Sequence, residues 1–95
     1  MRIVRFRTAQ GFEVVIGWLG AVHRFRLNVR QDAGRREERW LYVSREDERL
    51  EDGTMTAGDL AERLHEMDIT PPAGLLERLR ELERRGEEGE RQRAP

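Results

Sequence analysis

The chain has no cysteine, so disulfide bridges and thiolate metal sites are both excluded. It has no lysine either, which removes Schiff-base chemistry: all 18 basic residues are arginine. Its only serine is Ser44 and its only histidines are His23 and His65. Ser44 stands in Val43-Ser44-Arg45, without the glycine-flanked elbow that presents a hydrolase nucleophile. His23 falls on the apolar face of a predicted strand and His65 on a helix surface beside Glu62 and Glu66, neither in a catalytic setting. No glycine run matches a phosphate-cradling loop or a dinucleotide fingerprint. The carboxylates stand in solvated runs, where burial does not raise their pKa. These gaps predict a protein that is not an enzyme and that needs no cofactor.

Long apolar runs are missing too. The longest, Val14–Val22, is interrupted by Gly17 and Gly20 and falls far short of the ~20 residues that span a bilayer. Arg2, Arg5 and Arg7 precede it as in a secretion signal, yet Glu13 borders it and no A-x-A cleavage pattern follows. A buried strand and a cytoplasmic location, away from membranes, are the expectation.

What the chain has is charge. Of its 95 residues 39% are charged and 37% apolar, the latter below the roughly 45–50% of globular chains. That predicts one small domain with a modest core. Residues 1–45 carry ten arginines against Glu13, Asp32, Glu37 and Glu38, a net of +6. Residues 46–95 carry eight arginines against fifteen acidic residues, a net of −7, so the overall −1 hides a dipolar chain. Exclusive use of arginine is what a GC-rich coding sequence produces. It also equips a surface for bidentate recognition of carboxylate or phosphate.

The first half has the period of strands. Arg2–Arg7 is β-branched and aromatic, Thr8-Ala9-Gln10-Gly11 reads as a turn, and Phe12, Val14 and Ile16 share a face of the next strand. Gly17-Trp18-Leu19-Gly20 reads as a bend. Then His23, Phe25, Leu27 and Val29 alternate with Arg24, Arg26, Asn28 and Arg30, the mark of a half-buried strand with a basic outer face. Asp32-Ala33-Gly34 signals a loop, and Trp40–Val43 a fourth strand with Trp40 and Tyr42 on one face.

The second half is acidic and helical. A short strand around Arg49–Glu51 is an option in the loop that follows. With Gly53 as the bend glycine, Glu48, Asp52 and Asp59 fall on ligand positions of a calcium loop. Leu50 occupies a position that needs oxygen, so no metal is expected. Thr56 with Asp59 predicts an N-terminal capping box, and Leu60, Leu64 and Met67 form the stripe of the helix it starts. Asp68-Ile69-Thr70 breaks that helix, and Pro71-Pro72 is expected in the first turn of a second. Leu75, Leu76, Leu79 and Leu82 line its apolar face, and Gly86 reads as its end. The fold class predicted is α+β: a four-stranded antiparallel β-meander followed by two C-terminal helices packed on one sheet face. The domain is expected over residues 1–86, with 87–95 a disordered charged tail.

Thr56 to Leu64, then Ile69-Thr70 and Leu79–Gly86, is similar in cadence to the helix-turn-helix segments of winged-helix regulators, over about a third of the chain. It departs from them in its longer inter-helix stretch, its two prolines and the lack of wing strands after Gly86. Two function classes follow. The leading one is a non-catalytic interaction or regulatory module. It meets a macromolecular partner, a protein above all, through an Arg-rich sheet face, the acidic helical half, or both. Compact, charged inhibitors from phages and mobile elements that act on host nucleic-acid machines, such as a defence complex, share this character. The alternative is a nucleic-acid-binding regulator that uses the basic sheet or the helix pair. Candidate partner-binding residues are Arg5, Arg7, Arg24, Arg26, Arg30, Trp40 and Tyr42. Leu75, Leu76, Leu79 and Leu82 are the candidate face of a homodimer.

Overall fold

Runs of β-branched and aromatic residues, punctuated by turn formers, build the first half into four strands. They are β1 (Arg2–Arg7), β2 (Phe12–Leu19), β3 (Arg24–Gln31) and β4 (Arg39–Val43), in one antiparallel sheet of order β1-β2-β3-β4. A 3₁₀ turn (Ser44–Glu46) and the helices α1 (Ala57–Glu66) and α2 (Leu75–Arg93) follow. The computed structural model describes the backbone of residues 2–31 and 39–93 and the side chains of residues 3–31 and 40–86. The loop expected at Asp32-Ala33-Gly34 therefore lies outside the described residues. The predicted α+β meander with two following helices is the observed fold.

Turn chemistry explains the hairpins. Gly11 takes φ +85° between β1 and β2, and the Thr8 hydroxyl accepts the Phe12 N–H at 3.1 Å. The bend expected at Gly17 is absent: β2 runs straight through it, opposite Arg26, and ends at Leu19. His23 turns the chain instead, at φ +52°, so it lies in the turn and not on the face of β3. Its ring stacks on Trp18, with centroids 6.1 Å apart.

The core forms on one face. Val14 and Ile16 pair across β2–β3 with Val29 and Leu27, and all four are buried with Phe25. Leu60 and Leu64 from α1 and Leu75 and Leu79 from α2 close over them. The far side of β3 is completed by three different donors and acceptors. β4 pairs as far as Asn28↔Val43; next, the Ser44 hydroxyl accepts the Leu27 N–H at 3.1 Å. Beyond that, Phe25 and Met55 exchange both backbone bonds at 2.8 Å. The short extended contact thus falls at Met55, past the Arg49–Glu51 segment, because only there does the chain return to the open amide of β3.

Both helix ends of α1 are capped as their sequence dictates. Thr56 and Asp59 make the reciprocal capping box. At the other end Asp68 takes φ +58°, its N–H reaching the His65 carbonyl and that of Ile69 reaching Leu64, a Schellman closure. Pro71 and Pro72 precede the second helix and do not open it: a turn from Pro72 to Leu75, with Gly74 at φ +81°, comes first. Nor does α2 stop at Gly86. It continues to Arg93, so residues 87–93 extend the helix where a disordered tail was expected. Gly86 answers a packing need, since a Cβ there would sit 2.7 Å from the His23 ring.

Two stability outcomes follow from this packing. Leu27 is fully buried, so Leu27→Ala is expected to lower stability by about 2–5 kcal/mol in a denaturant titration. Gly11 and Gly53 both have positive φ, but only Gly53 is hemmed in: its Cβ would lie 2.5 Å from the Arg45 Cα. Gly11→Ala should cost roughly 1–2 kcal/mol, the left-handed penalty alone. Gly53→Ala should cost clearly more in the same titration, and equal losses would rule out the close approach.

Candidate interaction surface

Strand pairing assembles the outer face row by row. Arg7, Glu13, Arg30 and Trp40 stand side by side across all four strands; Arg5, Val15, Asn28 and Val43 form the next row, and Ile3, Gly17 and Arg26 the third. Arg24 lies beyond, opposite Leu19. Five arginines therefore share this face with one carboxylate, Glu13, among the described residues. The sequence places them there for a simple reason: each is one residue out of step with an apolar neighbour on the inner face.

The arginines differ in what holds them. Arg30 donates to Glu13 at 2.9 Å and lies 5.8 Å from the centre of the Trp40 ring, a cation–π contact. Arg24 donates to the His23 carbonyl at 2.9 Å. Arg26 has no carboxylate partner among the described residues, and its Nε is buried without an acceptor. Arg5 and Arg7 are exposed on the edge strand, whereas Arg24, Arg26 and Arg30 are half-buried. Apolar surface lies among them: Trp40 is 48% exposed and Ile3 51%.

Tyr42 does not join this surface. The register slips between Val29 and Arg30, so Tyr42 pairs with Val29 and Trp40 with Arg30. Leu41 is the extra residue of a bulge, and it breaks the two-residue alternation on which a shared face for Trp40 and Tyr42 depended. Tyr42 packs inward against the core. The leucine face of α2 turns largely inward. Leu75 and Leu79 are buried within the chain's own core, and Leu76 and Leu82 are partly buried against it.

A charged cluster under β4 was barely legible in the sequence. The Tyr42 hydroxyl donates to Asp47 at 2.7 Å, and Arg49 grips both carboxylate oxygens of Asp47 at 3.0 Å. Arg63, a buried residue of α1, reaches Asp47 at 3.5 Å, bonds Glu66, and lies 5.7 Å from the Tyr42 ring centre. Arg49 and Tyr42 together hold the Asp47 carboxyl far below the usual carboxylate range. Burial, with Asp47 beside it, pushes the Tyr42 phenol up. The one available signal was Asp47-Glu48-Arg49, a carboxylate two residues before an arginine, which is commonplace in so charged a chain.

Ser44 is fully buried and its hydroxyl is engaged by Leu27. His65 is exposed on α1. No helix among the described residues is long and apolar enough to cross a membrane. No protein-family model, curated protein or solved structure matches the chain.

Asp47 sets a pH dependence. Its folded pKa is depressed, so its contribution is complete above the ordinary aspartate value of about 3.9 and is lost as pH falls below it. Asp47→Asn should lower Tm most at neutral pH, and the gap from wild type should narrow below about pH 4. Thermal melts of both proteins between acid and neutral pH measure that gap.

Proposed function

We propose that the protein is a non-catalytic interaction module that meets an acidic protein partner through its Arg-rich sheet face. One observation carries the reading: five arginines against one carboxylate, among the described residues, on the face that the helices leave uncovered. Arginines around a half-exposed tryptophan have the composition of protein–protein hot spots. Complementary charge on the partner would steer encounter and fix register. A small, densely charged chain without an accessible serine suits the role of a phage or mobile-element inhibitor docking on a nucleic-acid machine in the cytoplasm.

Direct binding of nucleic acid finds less support. Single-stranded readers stack bases on aromatic platforms, and Trp40 is the only ring on the outer face among the described residues. On α2, Arg84 and Arg85 both bond Glu81, so those cations are engaged on the would-be recognition helix.

The test is the double reversal Arg24→Glu/Arg26→Glu, read by thermal melt and by retention on immobilised polyglutamate and duplex DNA over a salt series. A native-like melt with at least about tenfold weaker polyglutamate binding is the expected result. Unchanged retention, or a variant that no longer folds, would count against the basic face as a binding site. Tighter retention on DNA with a steep salt slope would move the reading to nucleic acid.

A further inference from the structure

We propose that the open edge of β1 takes up an extended segment of the partner as a fifth strand, and that this segment alternates acidic and apolar residues. The proposal rests on the reading above for the sign of the partner's charge.

Among the described residues β1 pairs only with β2, so one side of its backbone has no strand neighbour there. Such an edge is a template for strand addition, in which main-chain bonds supply affinity and alternate side chains supply specificity. Here the two sides of the edge differ in chemistry. On the inner side, a cleft of about 590 Å³ runs between the sheet and α2. Its lining is mostly apolar, with Val4 and Trp18 from the sheet and Leu82 from α2, and it also includes Arg78, Glu81 and Arg85 of α2. On the outer side stand Arg5 and Arg7, both exposed. Arg5 has no carboxylate partner among the described residues.

A strand laid beside β1 would project its side chains alternately to these two sides. Apolar residues at every second position would enter the cleft, and acidic residues between them would lie beside Arg5 and Arg7. A second copy of the chain is a poor occupant, because it would bring its own Arg5 and Arg7 to the same seam, and like charges directly opposite destabilise a sheet. The β4 edge is a poorer match, since the cleft beside it is smaller, about 210 Å³, is lined in part by the carboxylates Glu46 and Asp47, and its strand register is broken by the bulge.

The probe is a synthetic peptide of about ten residues alternating Glu and Val, longer than a typical strand of ~6. One control has the same composition in two blocks, and a second is N-methylated at alternate backbone nitrogens. Titrated into the full chain, the alternating peptide should bind at least about tenfold more tightly than either control. It should slow hydrogen exchange at β1 amides, and Arg5→Glu should weaken it about tenfold without changing the melt. Failure of the alternating peptide to bind, or protection confined to residues outside β1, overturns the proposal. Equal binding of the block peptide, sensitive to Arg24→Glu/Arg26→Glu but not to Arg5→Glu, overturns the edge while leaving the basic face intact. If no acidic probe binds at all, both readings fall.

Discussion

Phe25, Leu27 and Val29 alternate along β3 with Arg24, Arg26 and Arg30, and burying the first set commits the second to the opposite face. Everything else in the architecture answers to that commitment. With so few apolar residues, the chain closes one core, and both helices are drawn to the same side of the sheet. The other side then keeps its arginines at the surface. One-sided burial thus fixes both where stability comes from and where charge is displayed.

A second constraint acts at the far side of β3. Past Val43 the chain leaves the sheet, yet the amides of Leu27 and Phe25 still need acceptors away from water. Ser44 and Met55 supply them, and the segment between is pinned by Asp47 with its Tyr42 and Arg partners. Gly53 is required where that loop crosses the backbone of Ser44 and Arg45. The acidic stretch that reads as an open loop is in this way part of the folded frame. Of the charged side chains in that cluster only Asp47 and Arg63 are shielded, while Arg49 and Glu66 face solvent, so the shielded pair is what distinguishes it from an exposed ion pair such as Arg84–Glu81.

The basic face and the β1 edge are two aspects of one surface. Charged residues on an edge strand ordinarily discourage pairing with other chains. Arginine does so selectively: it repels a copy of itself and attracts a strand of opposite sign. A largely apolar cleft on the inner side of the same edge, with Arg78, Glu81 and Arg85 in its lining, adds a second requirement, on the alternation of the incoming segment. Together these are the pattern and the charge that the proposed partner would have to match.

The sequence by itself determined the strands, the meander order, the buried set on β2 and β3, and the capping box of α1. All depend on residues close along the chain, where period, turn formers and caps act locally. The outer positions of the arginines were legible for the same reason, as the complement of a buried alternation. Only the tertiary structure decided the rest. The Leu41 bulge separated Trp40 from Tyr42, and a slip of register leaves no trace in composition. The leucines of α2 looked surplus until the sheet and α1 closed over Leu75 and Leu79. Gly86 read as a helix end, although its role is to admit the His23 ring, a neighbour 63 positions away. Asp47 met Arg63 because α1 folds back beneath β4. In each case the deciding contact joins distant segments, and no local pattern encodes which distant side chain will arrive.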